Sequence, residues 1–130
     1  MKFEFNTLIG ILGLIASFLW GGFPMALQIL LFFAIADYIT GIAAAFHNKA
    51  LSSRVGFNGI IKKMIMFLLC SVAFKIDLLL PNELNGALFN LVVFWYCGNE
   101  ALSIMENAIE LELKVPDKLK DAIEILIKEE

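Results

Sequence analysis

Between Glu4 and Lys49 the chain carries one charged side chain, Asp37. Uncharged apolar runs of this length constrain the fold more than any other feature. In hydrocarbon no water meets the backbone N–H and C=O groups, so each segment must satisfy them internally as a helix. The composition agrees. Of 130 residues, 60% are hydrophobic and 18% charged, with mean hydropathy +0.82, against roughly 45–50% apolar in ordinary globular chains. Nine of the 13 acids and four of the ten basic residues lie from Glu100 onward. The sequence therefore divides into a membrane body, 1–106, and a water-compatible tail, 107–130.

Four apolar segments are expected in the body: about 7–21, 24–46, 64–80 and 84–104. The first, TLIGILGLIASFLW, reaches only about 21–25 Å at about 1.5 Å per residue, marginal against a hydrocarbon core of about 30 Å. Whether it crosses, and so on which side the N-terminus lies, is left open by the sequence. GGFP at Gly21–Pro24 separates it from the second segment, which is long enough to span with some tilt. MKFEFNTLIG has one Lys and a Glu before its apolar run, and ASF and the following LWGG fit the small-residue site of a cleaved leader poorly, so the first segment is expected to be retained. The predicted class is an all-α membrane protein with three to four transmembrane helices and a C-terminal amphipathic helix.

The connection HNKALSSRVGFNGIIKK holds Lys49, Arg54, Lys62 and Lys63 and no acid, which places it in the cytoplasm by the positive-inside rule. The tail then returns to the cytoplasm as well. There, Pro116 stands at a plausible helix start, and Leu119, Ala122, Ile123 and Leu126 repeat at helical spacing as one apolar face. Charge pairs four apart, such as Lys120–Glu124 and Glu124–Lys128, would support that helix. It is expected either to lie on the membrane body or to mediate self-association.

Catalytic motifs are missing from the pattern. No GxSxG, phosphate loop or HExxH occurs, the single histidine, His47, falls at a helix end, and Cys70 and Cys97 sit in apolar runs as small hydrophobes. No enzyme, cofactor or metal site is expected, and the net charge of −3 gives no support to nucleic-acid binding. Asp37 stands apart. A carboxylate in a spanning helix costs at least about 2.5–3.5 kcal/mol near the centre, so it should face protein or water. Asp37, Gly41, Ala44 and Asn48 fall on one helical face, with Thr40 beside it. Phe32, Phe33, Ile35, Ile39, Ile42 and Phe46 lie opposite, suited to lipid. Gly41 and Ala45 allow close helix approach. Lys62 or Lys63 is a more defensible partner for Asp37 than Lys75. The stripe could lock helices together or line a pore.

These residues resemble a known family. DYITGIAAAF, LSSRVGFNGIIKK and NEALSIMENA followed by VPDKLKDAIEIL are similar, in order and spacing, to toxin-secretion and phage-lysis holins. The resemblance covers about Ala34 to Leu126. It implies a motif at Asp37, Thr40 and Gly41, a basic loop with Ser52, Ser53, Gly56, Gly59 and Lys63, and a last block at Asn99, Glu100, Ser103, Glu106, Asn107, Pro116 and Leu119, near the cytoplasmic mouth. One departure is visible: the family usually has a glycine about where Glu112 stands and a proline where Lys114 stands. On that ground ELELK is expected to continue the fourth helix toward Val115 with less of a break.

The resemblance implies a homo-oligomer of the bacterial inner membrane that opens holes for phage lysis, releasing an endolysin or exporting a large toxin, with an antiholin as a further partner. Two other readings stay open beside it: an antiholin-like regulatory subunit, and a small ion channel or transporter.

Overall fold

In the computed structural model, residues 1–128 are described. They form five helices: α1 Lys2–Trp20, α2 Met25–His47, α3 Ser53–Leu79, α4 Ala87–Glu110 and α5 Asp117–Lys128. A single 3-10 turn, Asn82–Leu84, precedes α4. No strand occurs among the described residues, and the chain is an all-α membrane protein. The last two residues of the expected tail, 129 and 130, lie outside the described ones, and the division expected at 106/107 falls within α4.

Local chemistry sets the helix ends. Gly21 closes α1 at φ 73, a left-handed conformation that glycine adopts without steric penalty. A Cβ at this position would also stand 2.5 Å from the Phe74 ring. α2 and α4 each close with a pair of returning amides at a left-handed residue that is not glycine. After α2, Lys49 takes φ 57, and the Lys49 and Ala50 amides bond back to the Phe46 and Ala45 carbonyls. After α4, Glu112 takes φ 66, and the Glu112 and Leu113 amides bond back to Ile109 and Ala108. The fourth helix thus breaks at Glu110 instead of running on toward Val115. The two returning amides satisfy its last carbonyls, and Pro116 two residues further could not have continued it. Glu112 occupies the left-handed position where the resembling family has glycine. Glu112→Gly is therefore expected to stabilise the protein by about 1 kcal/mol, through relief of left-handed strain, read as a rise in its unfolding midpoint in detergent.

α1 and α3 start earlier than the hydropathy pattern suggests. α1 takes in Lys2–Asn6 and becomes 19 residues, about 28 Å, long enough to cross. α3 begins at Ser53 because Ser52 caps it, its Oγ accepting from the Val55 amide at 3.2 Å. The first eleven residues of α3, 53–63, read as a connecting loop in sequence because Gly56, Asn58 and Gly59 are poor helix formers.

α2 and α4 run side by side in the same direction: the Cys97 thiol lies 3.9 Å from the Ala26 carbonyl, and Asn107 lies 3.0 Å from Asp37. α3 runs back between their ends. Leu27, Leu30, Cys70 and Val93 are fully buried where the three helices meet, with Ala34, Met66, Phe89 and Cys97 around them. By length and composition three stretches can cross a membrane, α1, α2 and Asn82–Glu110. α3 is not among them, because Lys62, Lys63, Lys75 and Asp77 fall within it. α3 joins the end of α2 to the start of α4, and two parallel helices that both cross call for a connecting helix that crosses back.

α5 folds back onto α4. Gly98 makes room for it, since a Cβ there would lie 3.2 Å from Leu126 and Ile127. Ile123 is buried and Leu126 half-buried, while Leu119 and Ala122, at the start of the expected apolar face, are exposed. The Lys128 side chain, part of one expected charge pair, lies outside the described ones.

Candidate functional site

Asp37 projects from α2 into a polar cluster that ties three helices together. Its Oδ2 accepts from Lys63 Nζ of α3 at 2.6 Å, and the same ammonium donates to Glu100 Oε2 of α4 at 2.5 Å. The Asn107 amide, about two turns further along α4, donates to Asp37 Oδ1 at 3.0 Å and to Thr40 Oγ1 at 2.9 Å. Thr40 in turn donates to the Ala36 carbonyl at 2.8 Å. The side chains of Asp37 and Glu100 are 14% exposed and that of Lys63 is 19%, so their attraction is only partly screened by water.

Small residues make the cluster possible. Gly41 faces Asn107, 3.6 Å from where its Cβ would be. Gly56 and Gly59 of α3 receive the Tyr38 ring, whose hydroxyl would stand 3.2 Å from a Cβ at Gly56. Ala44 is buried, and Asn48 Nδ2 donates to Glu110 Oε2 at 3.3 Å at the end of the bundle.

The structure thus brings together Asp37, Thr40, Gly41, Lys63, Glu100 and Asn107. Asn99, Ser103 and Lys62 line the adjoining groove. Lys49 sits in the α2–α3 turn and Arg54 in the first turn of α3, both exposed, and Glu106 is exposed away from the cluster. On the face opposite the stripe Phe32, Ile35, Ile39 and Phe46 are exposed, whereas Phe33 packs against the core. Sequence spacing placed Lys62 or Lys63 within reach of Asp37, and Lys63 is the one bonded to it. Spacing did not show that Glu100 shares that lysine, because pairing between α3 and α4 depends on how α4 is rotated.

Lys75 and Asp77 form a second polar group, at the other end of α3, which sequence reasoning left without a role. Lys75 Nζ donates to the Phe18 carbonyl and lies 4.3 Å from the centre of the Phe18 ring. Ser71 Oγ donates to the Leu19 carbonyl at 2.7 Å, and the Trp20 indole donates to the Phe67 carbonyl at 3.1 Å. Phe18 and Leu19 are among the last carbonyls of α1, which have no partner within their own helix. A cation there also opposes the negative end of the helix dipole. Asp77 does the reverse for α4. Gly86, the residue before that helix, has no side chain with which to cap it, and Asp77 accepts from the Phe89 amide at 2.7 Å and the Leu88 amide at 3.3 Å. Both charges in the apolar half of α3 are thereby matched to helix ends.

The fold and these clusters define a small multi-pass helical membrane protein whose buried polar side chains join helix to helix. No group of metal-binding side chains occurs among the described residues. The chain belongs to the bacteriophage holin family, which matches across residues 14–128. It is 37% identical over 100 residues to a probable holin of Bacillus phage phi105, covering 77% of this chain and 73% of that one. It is 40% identical over 117 residues to an uncharacterized protein of Listeria innocua, covering 88% and 82%. It is also 35% identical over 115 residues to an uncharacterized 14.9 kDa protein in the nagH 3′ region of Clostridium perfringens, covering 88% and 86%. No solved structure matches. Membership of this family makes the chain a holin-like, multi-pass protein of the bacterial inner membrane, and it speaks for a non-enzymatic role and for assembly within the membrane.

Proposed function

We propose that the chain is a holin that assembles with copies of itself and permeabilises the cytoplasmic membrane, for phage lysis or for passage of an endolysin or large toxin. One observation carries the reading: the sole carboxylate of α2 is turned inward onto Lys63 and Asn107, while Phe32, Ile35, Ile39 and Phe46 are left outward. A subunit folded in this way can accumulate in lipid with its polar stripe hidden. Opening requires the stripe to exchange Lys63 and Asn107 for water, so that Asp37, Thr40, Gly41, Ala44 and Asn48 face a common lumen. The basic end of the bundle, Lys49 in the α2–α3 turn and Arg54, Lys62 and Lys63 in the first part of α3, is cytoplasmic in this arrangement, as are Asn99, Glu100, Ser103, Glu106 and Asn107 at the inner mouth, and the C-terminus. Loss of the membrane potential is a fitting trigger, since a unit charge moved through the field is worth roughly 2.3 kcal/mol per 100 mV.

The test is expression in a bacterial host with a folded cytoplasmic reporter enzyme. An abrupt arrest of growth with release of the reporter is expected. Asp37→Asn keeps the Asn107 contact but weakens the hold of Lys63, and should shift both the time of onset and the size of cross-linked oligomers. If onset and oligomer size are unchanged, the assignment of this face fails. Absence of toxicity alone, with delayed lysis beside a second holin, would instead identify an antiholin. Graded flux of small solutes without the reporter would identify a channel.

A further inference from the structure

A groove of about 500 Å³ opens between the second half of α2, the first half of α3 and α4, within the range of about 300–1,000 Å³ typical of ligand clefts. Ile42, Ala45, Leu51 and Val55 give it an apolar wall. Its polar groups are unevenly engaged. Both Asp37 oxygens and one Glu100 oxygen accept from Lys63 or Asn107. By contrast Lys62, Tyr38, Asn99 and Ser103, which line the same groove, have no side-chain partner among the described residues. All four are donors. The groove therefore has its carboxylates largely satisfied and its donors open, beside a turn that adds Lys49 and Arg54 without an acid.

We propose that this groove holds one anionic phospholipid, its chain along the apolar wall and its headgroup phosphate on Lys62, with Tyr38, Asn99 and Ser103 as further donors. Basic pockets between spanning helices on the cytoplasmic side are suited to such headgroups. A lipid seated there covers the open side of the Asp37–Lys63–Glu100 cluster. The proposal rests on the reading that α2, α3 and α4 cross the bilayer, but not on any hole being formed.

The test uses the full chain reconstituted in phosphatidylcholine vesicles carrying trace spin-labelled phosphatidylglycerol or spin-labelled phosphatidylcholine. The motionally restricted fraction of each label is measured. Phosphatidylglycerol is expected to associate at least about fivefold more strongly, the effect of one cation near an anionic headgroup. Lys62→Gln should remove that preference and Lys62→Arg should keep it. Equal association of the two lipids, or a preference untouched by Lys62→Gln, overturns the site. A preference that vanishes as protein is concentrated in the bilayer also overturns it, and gives the groove to a second copy. Alkaline carbonate extraction of the same vesicles reports insertion separately. Protein that is extracted refutes the spanning reading and the lipid site together, whereas inserted protein without lipid preference refutes the lipid site alone.

Discussion

Lys63→Met is expected to lower the stability of the folded subunit by about 3–5 kcal/mol, the cost of removing one partner from a buried charge pair. The effect is large because the ammonium serves two carboxylates at once. Without it Asp37 and Glu100 confront each other across a poorly solvated gap, and α2 and α4 lose their shared tie to α3. Removing the charges that lysine compensates should reverse much of the loss. The triple variant with Asp37→Asn and Glu100→Gln is expected to unfold close to the parent midpoint in a denaturing detergent titration. If Lys63→Met unfolds like the parent, or the triple variant is no better than the single one, the cluster does not hold the helices. In cells the single variant should cause leakage sooner after induction, because less work separates the hidden stripe from water.

The second large effect concerns α1. Ser71→Ala combined with Lys75→Met leaves the Leu19 and Phe18 carbonyls, at the end of α1, without their side-chain donors. An unsatisfied buried acceptor costs about 1–3 kcal/mol, so loss of the part-buried Ser71 bond should weaken the α1–α3 contact by about that much, with less from the exposed Lys75 bond. α1 has no buried residue of its own to offset this. Trp20, whose indole bonds to Phe67 of α3, reports the contact directly. In a Trp95→Phe background its emission should shift to the red and its quenching by acrylamide should rise, while the α2–α4 core stays folded. Unchanged Trp20 emission in the double variant would mean that these two bonds do not dock α1.

Much of this architecture was legible in the residues, and the exceptions have physical causes. α2 was readable because an apolar run bounded by Pro24 and His47, with Asp37 its one charge, has few alternatives in lipid, and the small-polar face followed from helical spacing alone. A lysine partner for Asp37 near the α2–α3 turn was readable from position along the helices, but the choice of Lys63 over Lys62 was not, because it depends on how α3 is rotated. The length of α3 was not, since glycines that lower helix propensity are required there by the Tyr38 ring, a contact between helices that no local pattern records. Nor were the roles of Lys75 and Asp77. A charge in an apolar segment looks the same whether it meets another charge or the bare end of a helix. The bend after α4 was underestimated because Glu112 takes a left-handed turn that a glycine would have announced.

The bonds at the end of α1 also bear on how the chain enters the membrane during synthesis. The carbonyls of Phe18 and Leu19 are satisfied by side chains made 57 and 52 residues later, whereas the first amides of α4 meet Asp77, made only 11 and 12 residues before them. The α3–α4 hairpin can therefore complete its polar contacts as soon as it emerges. α1 leaves the ribosome well ahead of its partner, waiting at the insertion site with its C-terminal carbonyls open until α3 arrives.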